Sequence, residues 1–293
     1  MSIKNEMSAK TFGSKIKQSV IAEWNSFKVP SIWIGLVVGG VMQYVHNVAH
    51  NYVYYLAGKY GVSGGPANEL VDLGFKALVP SIENLSFLPS NGCLYTLGAI
   101  GVIVAVSPFF TRMIVRAPDV RVVHIFWRAL VTCSICIIFR CVSFLVTILP
   151  APAPHCSVDE FNPPQTASDI FFRFDTEDGC SDLIFSSHMM YGITAACIVT
   201  QYVFTAKHLM QSVTERRLKY ALVILCWCTV IAEGFCIVAQ HRHYTIDVWN
   251  ALYAVPLVWI AFYHFVPNDP KPKEEIARRE SNETNNLEAV ASV

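Results

Sequence analysis

Residues 183–204 read LIFSSHMMYGITAACIVTQYVF. This stretch lacks Asp, Glu, Lys and Arg, and it is long enough to match the roughly 20 residues with which a helix crosses the hydrocarbon core of a bilayer. Near its start stands Phe185-Ser186-Ser187-His188, so a titratable imidazole lies where the apolar run begins. The stretch therefore predicts a membrane-spanning helix that carries a histidine at one end.

The composition of the whole chain agrees with a membrane protein. Of its 293 residues, 53% are hydrophobic and only 15% are charged, which is too apolar for an ordinary soluble domain of this length. The 22 basic and 22 acidic residues cancel, so the chain lacks the overall basic field that binding to nucleic acid requires. We therefore expect no nucleic-acid partner.

Five further apolar runs have the length of a membrane span. With the first stretch they predict an all-α, polytopic membrane protein, a bundle of six transmembrane helices at residues 32–56, 94–110, 129–149, 183–204, 221–239 and 246–266. Prolines stand close to the ends of several runs, as their missing N–H favours: Pro30, Pro108, Pro150 and Pro267.

Charged residues in the connections differ in sign between the two sides. The connections after the second and fourth spans are basic (Arg112, Arg116, Arg121, Lys207, Arg216, Arg217, Lys219), and the connection after the third is acidic (Asp159, Glu160, Asp169, Asp175, Glu177, Asp178). The positive-inside rule then places both termini in the cytosol and the acidic loop on the opposite side. The predicted organisation is a cytosolic segment 1–29, a six-helix catalytic domain 30–266 and a disordered cytosolic tail 267–293.

A second histidine motif, His243-Tyr244-Thr245-Ile246-Asp247, begins the last span on the same side as His188. A carboxylate four residues after a histidine on one helical face can orient its imidazole, and a second histidine can supply or remove the matching proton. A histidine oriented by a carboxylate, together with a second histidine as acid or base, is suited to phosphoryl transfer. Because both histidines adjoin apolar spans, we expect a lipid phosphate as the substrate.

Two more charged residues, Arg140 and Glu233, are placed by helical rise at the same depth as these motifs. Taken singly, each polar group has a structural alternative, such as an Arg140–Glu233 pair that stabilises the bundle. Charged groups converging from several spans at one depth favour a site instead.

Two other features stay open at this point. Polar side chains recur along one stripe of the first span (Gln43, His46, Asn47, His50, Asn51, Tyr54), and they form either an inward-facing seam or the lining of a head-group cavity. Cys156 and Cys180 both lie in the acidic loop, where an oxidising compartment would permit a disulfide, but the sequence does not show whether they come within bonding range.

These motifs resemble a known family. Cys180-Ser181-Asp182-Leu183-Ile184-Phe185-Ser186-Ser187-His188 is similar to the third motif of the sphingomyelin synthase and inositol phosphorylceramide synthase family, a group related to phosphatidic acid phosphatases, and His243-Tyr244-Thr245-Ile246-Asp247-Val248 is similar to its fourth. Arg140 with Thr147 resembles the second motif, and Asp72-Leu73-Gly74-Phe75 resembles the pattern of the first loop. The resemblance covers roughly residues 30–266.

The resemblance implies transfer of a phosphorylated head group from a glycerophospholipid to the primary hydroxyl of ceramide, with release of diacylglycerol. It implies no metal, no soluble cofactor, a Golgi or plasma-membrane location and a site facing the lumen. Ser186-Ser187 is similar to plant-type inositol phosphorylceramide synthases, whereas Phe262-Tyr263-His264 resembles the animal sphingomyelin synthases. We rank inositol first as the donor head group, choline second and ethanolamine third.

The expected catalytic residues are His188, His243 and Asp247, and the expected substrate- or phosphate-binding residues are Arg140, Asp182, Ser187 and Arg242. His243 would form a phosphohistidine, with His188 as acid and then as base. Two alternatives stay open: a lipid phosphate phosphatase with water as the acceptor, and a non-catalytic channel or lipid-binding protein. A homo-oligomer is also left open.

Overall fold

The structure is a computed structural model that describes residues 2–65, 67–78, 90–114, 121–157, 161–174, 180–203 and 213–265. The described residues form helices and connecting loops, and no β-strand occurs among them. The helices are α1 (Ser2–Phe27), α2 (Pro30–Tyr60), α3 (Leu73–Leu78), α4 (Ser90–Ile114), α5 (Val122–Val146), α6 (Ala167–Phe172), α7 (Ser187–Tyr202), α8 (Val213–Ala239) and α9 (Thr245–Phe265), with a 3-10 turn at Pro154–Cys156. The predicted all-α class is confirmed.

Five helices in the described part of the chain are long and apolar enough to cross a membrane: Pro30–Tyr60, Ser90–Phe109, Val122–Val146, Val213–Ala239 and Thr245–Phe262. The sixth predicted span corresponds to α7, which has 16 residues and so falls short of the roughly 20 that a full crossing needs. It starts late because the Ser186 side chain caps its first turn, so residues 183–186 lie in the preceding loop. The count of six spans stays a prediction.

Helix α7 lies at the centre of the bundle and contacts α4, α5, α8 and α9. Its side chains Met189, Met190 and Ile193 are fully buried, because the helix has neighbours on all sides. Small residues allow close packing: a Cβ on Gly101 of α4 would lie 3.1 Å from the Cβ of Ala195 on α7. His188, at the start of this helix, is only partly exposed to solvent.

The amino-terminal segment forms α1, a helix that the sequence pattern does not predict. Its Glu23 carboxylate accepts hydrogen bonds from the backbone N–H groups of Val122 and Val123 at 3.2 and 3.1 Å. These are orphan donors at the first turn of α5, whose own N-cap residue, Arg121, supplies no side-chain acceptor. Glu23 therefore caps α5 from another helix.

A disulfide closes the acidic loop between α5 and α7. Cys156 and Cys180 form a disulfide with a Cα–Cα distance of 5.5 Å, so the pairing that the sequence left open is present. Gly64 donates its N–H to the Cys156 carbonyl at 3.0 Å, and a Cβ at Gly64 would lie 2.2 Å from the Ala151 carbonyl oxygen. The loop after α2 thus fits against the disulfide-linked loop only because glycine stands there.

Some predicted features fall outside the described residues. They are the tail 267–293, the basic residues Arg116 and Lys207, and the acidic residues Asp159, Glu160, Asp175, Glu177 and Asp178.

Candidate active site

The second histidine motif forms a hydrogen-bonded dyad at the start of α9. Nδ1 of His243 lies 3.1 Å from Oδ2 of Asp247, and the Asp247 side chain is fully buried. The same Oδ2 accepts the backbone N–H of Tyr244 at 3.1 Å. Because a carboxylate only accepts, it favours the tautomer with the proton on Nδ1, which leaves Nε2 of His243 as the nitrogen with a lone pair.

Asp247 also joins this dyad to the loop that leads into α7. Its Oδ1 accepts the backbone N–H of Ile184 at 2.9 Å, and its backbone carbonyl accepts the N–H of Ser186 at 3.2 Å. Asn250, almost one turn further along α9, donates Nδ2 to the Ile184 carbonyl at 2.8 Å. Ile184 has φ +77°, a left-handed conformation that is unfavourable for a β-branched residue. The Asp247 and Asn250 side chains of α9 thus hold the strained backbone of Ile184, four residues before His188.

His188 is the second residue of α7. Its Nε2 lies 3.1 Å from Oδ1 of Asn91, and Nη1 of Arg242 donates to the same oxygen at 3.2 Å. Asn91 therefore links His188 to Arg242, the residue before His243, and His188 lies within electrostatic range of His243. Among the described residues, Nδ1 of His188 is buried without a hydrogen-bond partner.

Arg140 reaches the same region from α5 and is buried in a charged network. Its guanidinium forms an ion pair with Asp182 through Nη2 and donates from Nε to Nε2 of His46 at 2.9 Å. Nδ1 of His50 lies 3.1 Å from Oδ2 of the same carboxylate. In the described part of the chain, Nη1 of Arg140 has no hydrogen-bond partner, although it is buried. A buried guanidinium with an unused donor is suited to an anionic ligand.

Burial would raise the pKa of Asp182, but the Arg140 guanidinium and His50 outweigh it and hold that pKa well below its usual range. An ionised carboxylate repels phosphate. The contacts of Asp182 therefore favour a role in holding Arg140 and His50 over the direct phosphate contact that the sequence suggested.

The remaining expected residues lie at different places. Arg242 is exposed beside Asn91, and Ser187 is the half-buried first residue of α7, where backbone N–H groups at a helix N-terminus attract anions. Glu233 is fully buried. Its carboxylate lies against Gly192 of α7, which is about one turn after His188. The alternative Arg140–Glu233 pair is wrong, since Arg140 is paired with Asp182.

The polar stripe of α2 is a seam that serves several purposes. His46 and His50 belong to the Arg140 network, and Gln43 accepts a hydrogen bond from Tyr191 at 2.6 Å. Asn47 and Asn51 bind the backbone around α6. The helical spacing of the stripe signalled that it faces inward, whereas no sequence signal pointed to Asn91.

Asp72 fixes the first turn of α9 from the outside. Its carboxylate accepts hydrogen bonds from the hydroxyl and the backbone N–H of Thr245, each at 2.7 Å, and from the N–H of Gly74 at 2.7 Å. Burial would raise the pKa of Asp72, but hydrogen bonds from Thr245 and from the Gly74 and Phe75 amides lower it overall. The geometry of the His243 dyad thus rests on a carboxylate from a different loop.

Part of the chain is similar to a known protein family. Residues 179–265 match the family described as PAP2 superfamily C-terminal. This part of the chain is similar to a PAP2 superfamily C-terminal domain. The matched region contains α7, α8 and α9 with His188, His243 and Asp247, whereas Arg140 and Asn91 reach it from the preceding helices.

Curated relatives extend beyond the PAP2 region. A phosphatidylinositol:ceramide inositolphosphotransferase of Oryza sativa subsp. indica is 28% identical over 246 residues, 81% of this chain and 67% of the relative. Phosphatidylinositol:ceramide inositolphosphotransferase 2 of Arabidopsis thaliana is 28% identical over 247 residues, 81% of this chain and 72% of the relative. Human phosphatidylcholine:ceramide cholinephosphotransferase 1 is 30% identical over 149 residues, 47% of this chain and 33% of the relative. The resemblance predicted from the motifs is confirmed.

Proposed function

We propose that this protein is a phosphosphingolipid synthase, which transfers a phosphorylated head group from a glycerophospholipid to the primary hydroxyl of ceramide and releases diacylglycerol. The observation that carries the proposal is the buried His243–Asp247 dyad, which Asp247 itself ties to the loop before His188. The names of the relatives support the same reaction class.

In the first half-reaction, Nε2 of His243 attacks the donor phosphorus, and the bond from phosphorus to the diacylglycerol oxygen breaks. His188 donates a proton to that departing oxygen, so diacylglycerol leaves neutral and the head-group phosphate stays on His243. The unused Nη1 of Arg140, together with Arg242 and the amino end of α7, balances the phosphate charge. Donors fixed in position for the developing charge are worth several kcal/mol in the transition state.

In the second half-reaction, ceramide takes the place of diacylglycerol. His188, now neutral, removes the proton of the primary hydroxyl, and the hydroxyl oxygen displaces Nε2 of His243 from phosphorus. The products are a phosphosphingolipid and the free imidazole, with His188 protonated again for the next cycle. Each proton that His188 loses in one half-reaction is therefore recovered in the other.

An apolar cavity beside the site suits the lipid tails of such substrates. It has a volume of about 320 Å³ and lies between α5 and α9, next to the loop before α7. Its lining is mostly apolar, with Phe139, Phe185, Leu257 and Val258 among the residues and Asn250 at one side. A cavity of this character accommodates hydrocarbon while the phosphate lies near the histidines.

Phosphatidylinositol is the proposed donor, with phosphatidylcholine as the next choice. The inositol relatives align over 81% of this chain, whereas the human choline relative aligns over 47%. The basic connections favour a topology of six spans with both termini cytosolic. In that topology the site faces the lumen, and we propose the Golgi as the location, with the plasma membrane as the alternative.

The test is an assay of purified protein in lipid nanodiscs with fluorescent ceramide. Phosphatidylinositol, phosphatidylcholine and phosphatidylethanolamine are supplied in turn, and the product is identified by mass. We expect a ceramide product with one donor and a loss of at least about 1,000-fold in His243→Ala. His155→Ala, a histidine of the disulfide-linked loop, is the matched control and should keep wild-type turnover.

The phosphohistidine step is tested by omitting ceramide. With donor lipid labelled at phosphorus, the wild-type protein should retain acid-labile label, and His243→Ala should retain none. Wild-type transfer by His243→Ala would end the proposal. Release of the head-group phosphate to water with no ceramide product would identify a lipid phosphatase. A change in lipid binding or permeation on mutation of His188, with no product formed by the wild-type protein, would identify a non-catalytic protein.

A further inference from the structure

Residues 161–174, which include α6, run along α2 from its end toward its middle, and we call them the α6 segment. At one end, Pro163 contacts Gly58, where a Cβ would lie 2.6 Å from the proline ring. At the other end, the carbonyl of Phe171 accepts a hydrogen bond from the Tyr44 hydroxyl at 3.3 Å. Gly58 and Tyr44 are separated along the helix by about 21 Å at 1.5 Å per residue. Because Tyr44 reaches the segment through its side chain and Asn51 contacts the neighbouring Ile170 carbonyl, the α6 segment runs beside the membrane-spanning helix for somewhat less than that distance.

The length of α2 places the lower end of this segment inside the membrane. Helix α2 has 31 residues, so it is about 46 Å long and exceeds the hydrocarbon core of about 30 Å by roughly 16 Å. If all the excess lies at the Tyr60 end, the core covers about residues 30–50; if it all lies at the Pro30 end, the core covers about residues 41–60. Tyr44 and Asn47 fall within the hydrocarbon core in both cases.

The backbone of the α6 segment is satisfied in the way that this depth demands. Carbonyls at the end of a helix lack partners within the helix, and unpaired carbonyls are costly in hydrocarbon. Nδ2 of Asn51 lies 3.0 Å from the Ile170 carbonyl and 2.8 Å from the Arg173 carbonyl, and Nδ2 of Asn47 lies 2.9 Å from the Arg173 carbonyl. Side chains of the spanning helix thus replace water as hydrogen-bond donors.

The amino end of α6 is satisfied internally. Thr166 and Asp169 form a capping box, in which Oδ2 of Asp169 accepts the backbone N–H groups of Gln165 and Thr166 at 3.0 and 2.9 Å. This polar end lies toward Pro163 and so toward the surface of the membrane.

The outward side of the segment is aromatic. Phe171, Phe172 and Phe174 are 47%, 68% and 68% exposed, close to the half-exposed ring of Tyr44. Arg173, the basic residue between them, turns its guanidinium back toward the surface, since Nη1 donates to the Asn162 carbonyl at 2.8 Å. A cation that extends toward the interface while phenylalanines face outward is typical of protein in contact with lipid.

We propose that the α6 segment is a re-entrant membrane segment, inserted into the non-cytosolic leaflet with Phe171, Phe172 and Phe174 against the acyl chains of the bilayer lipids. On α2, Val41, Tyr44 and Val45 are also exposed, and the Tyr44 hydroxyl contacts the segment. This inference goes beyond the proposed reaction and is independent of it, because it concerns bilayer lipid and no reacting group.

The experiment introduces a tryptophan as a depth probe. Phe172→Trp protein is placed in nanodiscs made with lipids that are brominated on their acyl chains, and the wild-type spectrum is subtracted to remove the native tryptophans. We expect blue-shifted emission and loss of most of the added fluorescence in the brominated lipid. Val71→Trp is the matched control: this residue is 82% exposed in the loop after α2, and its added fluorescence should be quenched by aqueous iodide and not by bromine.

Two results would overturn the inference. Quenching of the added fluorescence of Phe172→Trp by iodide alone would place the segment in water. Shielding from both quenchers would show that protein, such as a second copy of the chain, covers the phenylalanines. If Phe172→Trp does not fold, Phe174→Trp probes the same surface with the same expected outcome, and neither readout depends on ceramide transfer.

Discussion

At the scale of single residues, two carboxylates determine the geometry of the site. Asp247 accepts hydrogen bonds from His243, Tyr244 and Ile184 with its two oxygens, so one side chain sets both the imidazole tautomer and the backbone before His188. Asp72 fixes the first residue of α9, because its carboxylate accepts hydrogen bonds from both the N–H and the hydroxyl of Thr245. Because each carboxylate accepts several hydrogen bonds from separate segments, the stability of the protein should depend on the charge of that carboxylate.

Asp72→Asn should destabilise the protein at neutral pH, because an amide offers one acceptor oxygen where the carboxylate offers two. The pKa of Asp72 is lowered in the folded protein, so the stabilisation by its charge is present above the unfolded pKa of about 4 and is lost as the pH falls through the folded pKa. Thermal unfolding in detergent, measured from pH 7 downward, should show that the difference in Tm between wild type and variant decreases in acid. An equal difference in Tm at every pH would contradict this interpretation.

At the scale of elements, hydrogen bonds join the loop before α7 to the amino end of α9. The loop before α7 is attached to α9 at Asp247 and again at Asn250, and the left-handed Ile184 lies between these two attachments. Because isoleucine does not prefer that conformation, the attachments must hold it.

Asn250→Ala should reduce kcat about tenfold with little change in KM, because loss of the amide leaves the Ile184 carbonyl without its donor and lets His188 move relative to His243. Steady-state kinetics in nanodiscs measures both constants. Tyr253→Phe is the control: its hydroxyl lies 3.2 Å from the oxygen of Asn250, so its loss leaves the bond to Ile184 intact. A raised KM with normal kcat would instead indicate that Asn250 acts through the lipid-tail cavity that it lines, and not through the position of Ile184.

The pairing of α2 with α5 depends on glycine at the contact. A Cβ on Gly35 would lie 2.2 Å from Nε1 of Trp127, which donates to the Ser31 carbonyl at 2.9 Å. Gly35→Ala should therefore lower the free energy of unfolding by about 1–3 kcal/mol through overpacking. Gly40→Ala, on the same helix with no atom within 4 Å of its new Cβ, should be neutral or slightly stabilising. Equal effects of the two changes in thermal unfolding would refute the packing argument.

At the scale of the whole molecule, the site residues all come from one end of the bundle, and the loops at that end are linked. Arg140 lies near the end of α5, His188 and His243 near the starts of α7 and α9, and the disulfide lies between them in the chain. The disulfide within the loop between α5 and α7 restricts the unfolded chain. It also keeps Asp182, two residues after Cys180, beside Arg140.

Cys156→Ser should destabilise the protein by about 3 kcal/mol, given the loop length. This sequence separation is 24 residues, and the expected loss corresponds to a drop in Tm of roughly 6–12 °C. The measurement is thermal unfolding of protein purified without reductant. Cys228→Ser, which removes an exposed free thiol of α8, should leave the Tm unchanged; an equal drop in both variants would show that the disulfide contributes nothing.

Local pattern alone was sufficient for the helical class, for the positions of most spans and for the pairing of His243 with Asp247. Long apolar runs indicate where helices form, and residues four apart come close within a single turn of chain, as His243 and Asp247 do although His243 stands two residues before α9, so neither property needs the rest of the chain. The same reasoning failed for Arg140, whose partner is Asp182 and not Glu233, because depth in the membrane does not specify which faces of two helices meet.

The remaining features depend on contacts between distant parts of the chain. Asn91 beside His188, Glu23 at the start of α5, the closed disulfide and the descent of the α6 segment along α2 each join residues that no period or spacing relates. Such contacts arise only when the helices pack, because packing decides which buried donors and acceptors face each other and must pair.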